Sequence, residues 1–110
     1  MDLSAEDAKL VTLSRASRAR IGASQGAAVR DRDGRTYTAA TVALESLHLS
    51  AIDLAVAMAI SSGATGLEAV ALVTEGDVPV RLDTVMEFAG EGVQVIVADS
   101  AGEVDMVMST

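Results

Sequence analysis

The segment "HLSAIDLAVAMAISSG", His48 to Gly63, is the most informative part of the chain because nearly every residue in it is apolar. Only Ser50 and Asp53 interrupt the apolar run from Leu49 to Ile60. A helix that is apolar all round must be buried all round. The single sheet of a 110-residue chain covers one side of such a helix, so we expect a second subunit to cover the other. The helix 50–62 therefore predicts a homo-oligomer, either a dimer or a tetramer.

The residues before this segment predict one helix and two strands. Ser4-Ala-Glu-Asp7 has the form of a capping box, in which the serine accepts from an early backbone N–H, and it opens a helix that Gly22 ends. Two strand-like runs follow, residues 26–29 and 35–42. The turn sequence Asp31-Arg-Asp-Gly34 separates them, which predicts an antiparallel hairpin.

The residues after the segment continue the alternation of helices and strands. The continuous apolar run 68–74 is typical of a strand covered on both faces, and residues 81–90 have a helical pattern. Strands at 93–97 and 104–108 are joined by a connection short enough to force a hairpin. The order α-β-β-α-β-α-β-β predicts a three-layer α/β/α fold with a mixed five-stranded sheet. We expect residues 1–110 to form one domain.

Composition excludes several classes of function. The net charge is −8, the basic residues are scattered, and Tyr37 and Phe88 are the only aromatic residues, so we expect no nucleic-acid partner. The longest uninterrupted apolar run, residues 54–60, is too short to span a bilayer, and the acidic start does not resemble a signal peptide. We therefore expect an acidic cytoplasmic protein without membrane contact. The absence of cysteine excludes disulfides, thiolate catalysis and cysteine-based metal sites.

Four segments keep an order and spacing that point to one family. They are Gly26-Ala-Ala-Val29 with Asp33-Gly-Arg-Thr-Tyr-Thr38, then Glu68-Ala-Val-Ala-Leu-Val73, Val85-Met-Glu-Phe-Ala89 and Val95-Ile-Val-Ala-Asp-Ser-Ala-Gly-Glu-Val104. From about Arg20 to Met108 the chain resembles the small, homo-oligomeric cytidine deaminases, in which these segments are the first hairpin, the central strand, and the final helix and hairpin. The resemblance implies a cytidine deaminase-like fold.

The same resemblance places the family's chemistry at two helix starts. The motif C-A-E falls on Ser50-Ala-Ile52. Ser50 therefore occupies the position of a zinc-ligating cysteine, and Ile52 occupies the position of the catalytic glutamate. The motif P-C-x-x-C falls on Pro79-Val-Arg-Leu-Asp83, which keeps the proline and lacks both cysteines. The ribose-binding N-x-E falls on Thr41-Val-Ala43. The resemblance thus implies a vestigial cleft made by Thr41, Ser50, Ile52, Pro79 and Arg81.

These replacements remove the groups that bind zinc and transfer protons in the family's reaction. Zinc in these enzymes takes three protein ligands of N or S type, and the hydroxyl of Ser50 ionises far above neutral pH. Ile52 cannot carry a proton, and loss of a general acid/base alone typically costs about 10²–10⁴-fold in rate. We therefore expect no catalytic residues, no metal and no cofactor. The leading interpretation is a pseudoenzyme, an oligomeric structural or partner-binding protein that is not an enzyme.

Alternatives remain open at this stage. One is a sensor of a small ligand, a nucleoside or an anion, that uses Thr41, Ser50 and Arg81 in the old cleft. Another is an enzyme of different chemistry, or a zinc-dependent deaminase completed in trans by an active subunit. Individual residues also have two interpretations each. His48 is a loop or interface residue, or a metal ligand beside Asp53 or Asp83. Ser50 is an N-cap or a nucleophile. Arg81 is solvated or salt-bridged, or it binds an anion.

Overall fold

A computed structural model describes residues 2–76 and 78–110, and its main elements follow the order that the sequence predicts. Within these residues there are three helices, α1 (Ala5–Ile21), α2 (Ala51–Ser61) and α3 (Asp83–Ala89). The strands are β1 (Gln25–Asp31), β2 (Thr36–Ala40), β3 (Val42–Ala43), β4 (His48–Leu49), β5 (Leu67–Thr74), β6 (Gln94–Ala98) and β7 (Val104–Ser109). The predicted α/β fold is confirmed. The pair β3–β4 is additional, and the interpretation of residues 1–110 as one domain stays a prediction.

The five main strands form one mixed sheet in the order β2-β1-β5-β6-β7. The β1–β2 hairpin is antiparallel, with Ala28 opposite Thr38, and β6–β7 is antiparallel too, so both predicted hairpins are confirmed. β5 is antiparallel to β1 and parallel to β6. The short strands β3 and β4 form a separate two-stranded sheet that leads directly into α2.

The sheet is covered on both faces, which makes the predicted three layers. On one face α1 contributes Leu10 and Val11 to a cluster with Ala71 and Ile96. On the other face α2 and α3 pack against alternate residues of the same strands, including Val70, Leu72 and Val95. β5 is therefore buried on both sides, as its continuous apolar run predicts.

The helix ends agree with the sequence signals. The Ser4 Oγ accepts a hydrogen bond from the Asp7 backbone N–H at 3.1 Å, and Gly22 ends α1 in the left-handed region with φ 64°. In the part of the chain that the structure describes, no helix has both the length and the hydropathy of a membrane span.

Within the single chain α2 is buried on one face only, as expected from the sequence, and its burial by a second subunit stays a prediction. Its inner face, which includes Ile52, Ala55 and Val56, is buried against the sheet. Its outer face is open, and Met58 and Ile60 are 39% and 47% exposed. The physical reason is the one from which the oligomer was predicted: a single sheet covers one side of a helix.

Candidate functional site

A cleft of about 380 Å³ lies where α2 begins, beside residues 78–84. Its polar lining comes from the side chains of Gln25, His48, Ser50, Asp53, Arg81, Asp83 and Thr84. Its apolar lining comes from Ile52, Leu72, Val78, Pro79 and Val80. The lining is mixed, and the volume lies within the range of about 300–1,000 Å³ that is usual for sites of small molecules.

The start of α2 fixes one side of the cleft. The Ser50 Oγ accepts a hydrogen bond from the Asp53 backbone N–H at 3.0 Å, so the interpretation of Ser50 as an N-cap is confirmed. The hydroxyl satisfies one of the backbone donors that a helix leaves free in its first turn. His48 lies two residues earlier on β4, is exposed, and lines the same cleft as Asp53. The small β3–β4 sheet thus sets the position of the only histidine in the chain.

The segment that leads into α3 forms the opposite side. The Arg81 Nη2 donates to the Asp83 Oδ2 at 3.3 Å, and the two side chains are 83% and 81% exposed. This contact confirms the salt-bridged interpretation of Arg81. An ion pair this exposed contributes about 0–1 kcal/mol, so the guanidinium can exchange its partner for a ligand at little cost.

Two strands of the main sheet form the floor. Leu72 is 2% exposed and lies in the middle of β5. Gln25 begins β1, and its Nε2 donates to the Thr74 Oγ1 at 3.2 Å. Sequence reasoning missed both residues. No local motif marks them, since they join the cleft only through the pairing of β1 with β5, in which Gln25 lies opposite Thr74.

The structure brings together four of the five residues predicted for the cleft, namely Ser50, Ile52, Pro79 and Arg81. Thr41 is the correction, because it lies outside the described lining. Its backbone N–H donates to the Gln25 carbonyl at 3.1 Å, and its hydroxyl accepts from the Ser24 hydroxyl at 3.3 Å. Thr41 therefore extends the contact between the end of β2 and the start of β1.

A second cavity of about 590 Å³ adjoins the cleft and shares Val78, Pro79 and Val80 with it. Its remaining lining is mainly apolar, with Met106 and Met108 from the edge strand β7, and among the described residues Asp105 supplies an ionisable side chain. The smaller cleft holds several side chains that can donate, accept or carry charge. We therefore take the smaller cleft as the candidate site.

A mixed sheet in this order, covered by helices on both faces and with a cleft at the start of α2, defines a three-layer α/β protein. The sequence model of the cytidine deaminase-like family matches residues 3–102. The chain therefore belongs to the cytidine deaminase-like family. No curated protein sequence matches the chain at a significant level.

Solved structures of cytidine deaminases share the fold. The enzyme from Burkholderia pseudomallei is 21% identical with a TM-score of 0.80, covering 97% of this chain and 93% of that one. The enzyme from Mycobacterium leprae is 20% identical with a TM-score of 0.74, covering 97% and 94%. The enzyme from Mycobacterium tuberculosis is 25% identical with a TM-score of 0.69, covering 84% and 85%.

These comparisons overturn the expectation that the chain is not an enzyme. Family membership over residues 3–102, together with solved relatives that are cytidine deaminases, points to an enzyme. The expectation was wrong because it inferred, from the missing zinc-ligating cysteines, that the chain has no enzymatic activity of any kind. That loss bears on the metal and does not by itself remove a chain from the enzyme class.

The residues present do not fit the zinc ion that the resemblance implies. Its three ligand positions carry Ser50, Val80 and Asp83, which offer a hydroxyl, an alkyl group and a carboxylate. Within residues 2–76 and 78–110, no three His, Cys, Asp or Glu side chains are grouped so as to hold a metal ion. The whole chain lacks cysteine and has one histidine.

Proposed function

We propose that this protein binds a small molecule of the pyrimidine-nucleoside class in the cleft at the start of α2. The observation that carries the proposal is the combination, within about 380 Å³, of apolar walls with donors and acceptors on several sides. The names of the solved relatives, which are cytidine deaminases, support this ligand class.

The lining suits such a ligand chemically. A pyrimidine ring has apolar faces and a polar edge, and Ile52 and Leu72 supply apolar surface for the faces. The Asp53 carboxylate accepts hydrogen bonds from an amino group, and Gln25 and Arg81 donate to carbonyl or hydroxyl oxygens. Any chemistry in the cleft then depends on its own side chains, of which His48, Asp53 and Asp83 are able to exchange protons.

Titration of the protein with cytidine and uridine, followed by NMR chemical-shift changes, tests this proposal. We expect saturable shifts, and about five- to tenfold weaker binding in Asp53→Asn, since a neutral amide oxygen in place of the carboxylate loses about 1 kcal/mol of hydrogen-bond energy. Asp105→Asn is the matched control because Asp105 lines the adjoining cavity. Absence of saturable shifts with both nucleosides, or sensitivity to Asp105→Asn in place of Asp53→Asn, would contradict the proposal.

The same samples separate an enzyme from a sensor. Ammonia released from cytidine shows turnover, whereas binding without release identifies the chain as a small-ligand sensor. Inorganic phosphate tests the anion alternative through Arg81. Saturation by phosphate alone, abolished by Arg81→Ala and without any response to nucleosides, would replace the nucleoside proposal.

A separate observation favours a homo-oligomer through the outer face of α2. Met58 and Ile60 are exposed on a helix whose other face is fully buried, and Leu54 is half-buried between the two faces. Burial of apolar side chains yields about 25 cal/mol per Å², so a second copy on this face stabilises the helix in the same way as the sheet does. We propose that two or more copies meet there.

Native mass spectrometry measures the number of subunits directly. We expect a dimer or a tetramer for the natural chain and dissociation of Ile60→Glu. Ile21→Glu is the matched control because Ile21, at the end of α1, is 64% exposed. A monomeric natural chain would contradict the proposal and leave the outer face to a different protein partner.

A further inference from the structure

The three positions at which the resemblance implies zinc ligands still lie around one cleft. Ser50 comes from the start of α2, Val80 from the segment before α3, and Asp83 from the first residue of α3. All three line the cleft of about 380 Å³, together with the retained Pro79. The three positions therefore border the same cavity although the residue types differ.

Each of the three side chains has a different role in this chain. The Ser50 hydroxyl caps α2 by accepting from the Asp53 N–H at 3.0 Å. The Val80 side chain packs against the apolar cluster between α2 and the sheet. The Asp83 carboxylate pairs with Arg81 at 3.3 Å. One position therefore has no donor atom, one has an un-ionised hydroxyl, and one has a lone carboxylate.

We propose that this cleft takes no zinc ion, and that the change is confined to side chains, so that the backbone still holds the three positions within reach of a single ion. A catalytic zinc ion needs three protein ligands with thiolate, imidazole or carboxylate groups at about 2.0–2.3 Å, and a single carboxylate does not supply that set. This inference does not depend on the ligand proposed above, and each can fail without the other.

Metal analysis of the natural chain tests the claim that the cleft takes no zinc ion. The protein is purified from zinc-supplemented cells, and its zinc content is measured by plasma mass spectrometry. We expect well below one zinc per chain, and a melting temperature that neither added zinc nor a chelator changes. One zinc per chain with chelator-dependent melting would overturn the inference.

A variant with the ligands restored tests the claim that the backbone holds the three positions within reach of one ion. The triple variant Ser50→Cys/Val80→Cys/Asp83→Cys is expected to bind one zinc per chain and to melt at a higher temperature when zinc is added. Cobalt in place of zinc should give thiolate charge-transfer absorption. The matched control is Ser62→Cys/Val104→Cys/Asp33→Cys, which makes the same types of substitution outside the described lining of the cleft.

The outcomes are distinct. Zinc bound by the restored variant and not by the control supports a retained backbone arrangement. A folded restored variant that binds no zinc overturns it. If the restored variant does not fold with or without zinc, Ser50→His/Val80→Cys/Asp83→Cys is judged by the same two criteria. Ser50→Ala measures separately how much stability is lost with the N-cap.

Discussion

The Tyr37 hydroxyl donates a hydrogen bond to the Asp31 carboxylate at 3.0 Å, and Asp31 is 1% exposed. The other oxygen of that carboxylate accepts from the backbone N–H groups of Asp33 and Arg35, each at 2.9 Å. Burial alone would raise the pKa of Asp31, but these hydrogen bonds outweigh it and leave the pKa below its usual value. Burial and the contact with Asp31 both raise the pKa of Tyr37. The Asp31 carboxylate at the end of β1 thus holds both the backbone of the β1–β2 turn and the Tyr37 side chain of β2.

Tyr37 is the only tyrosine, so its ionisation can be followed directly by phenolate absorbance. We expect it to titrate above the ordinary tyrosine value in the folded protein and near that value in urea. A raised tyrosine pKa contributes stability that is fully present below the unfolded-state pKa and is lost as the pH rises through the folded-state pKa. Stability at alkaline pH should therefore depend on pH less strongly in Tyr37→Phe. Equal titration midpoints in folded and unfolded protein would contradict this assignment.

Asp31 produces the opposite pH dependence. A carboxylate with a lowered folded-state pKa contributes stability that is present above its unfolded-state pKa and is lost as the pH falls through the folded-state pKa. We expect Asp31→Asn to reduce the loss of stability on acidification, measured by urea unfolding at several pH values below the ordinary aspartate pKa. Asp33→Asn is the control, because Asp33 is exposed and is next but one in the chain. If Asp31→Asn loses as much stability on acidification as the natural chain, other carboxylates cause the loss.

Gly26 allows α1 to lie close to the sheet. A Cβ at Gly26 would be 2.0 Å from the Ser14 carbonyl oxygen and 2.8 Å from the Arg18 backbone nitrogen, neither of which is a flexible side-chain end. Overpacking in a close contact typically costs about 1–3 kcal/mol, and we expect Gly26→Ala to lose the upper part of this range in urea unfolding. Gly66→Ala is the matched control, since its Cβ would meet only the side chain of Arg32. Equal losses in the two variants would contradict the close-approach argument.

The sequence predicts the element order well because that order rests on local signals. Periodicity, helix caps and turn residues place α1, β5 and both hairpins, and each of these depends on neighbouring residues. The sheet β3–β4 was missed because strands of two residues are too short to show a period. Gln25 and Leu72 were missed because strand pairing, which no short segment reveals, brings them to the cleft. Asp31 was interpreted only as a turn residue, although its carboxylate also accepts a hydrogen bond from the Tyr37 hydroxyl.

Arg30 links α1 to the central strands through two carboxylates. Its Nη2 lies 3.0 Å from the Asp7 Oδ1, and its Nε lies 3.1 Å from the Glu68 Oε2. Burial alone would lower the pKa of Arg30, but the hydrogen bonds and charges of these two carboxylates outweigh it and raise the pKa. The Asp7 and Arg30 side chains are 11% and 15% exposed, whereas that of Glu68 is 44% exposed.

The two carboxylates should therefore differ in their contribution to stability. Removing the partner of a mostly buried donor costs about 1–3 kcal/mol, so we expect a loss in this range for Asp7→Ala. We expect at most about 1 kcal/mol for Glu68→Ala, whose ion pair is open to solvent. Urea unfolding measures both, and added salt should reduce only the smaller loss. A larger loss for Glu68→Ala would reverse the order that the exposures predict.

Ser50 both caps α2 and lines the cleft. Substitution can show whether its hydroxyl acts on the helix, on a bound ligand, or on both. As an N-cap, its hydroxyl is replaceable by another short acceptor, because aspartate caps helices as well as serine does. We expect Ser50→Ala to lose about 1 kcal/mol in urea unfolding and Ser50→Asp to retain the natural stability. Ser4 provides the comparison, since its Oγ accepts from the Asp7 N–H at 3.1 Å in the same geometry at the start of α1. Similar losses in Ser4→Ala and Ser50→Ala would assign both hydroxyls the same structural role. If Ser50→Ala leaves stability unchanged while nucleoside binding or turnover is lost, the hydroxyl acts on the ligand and the capping role is secondary.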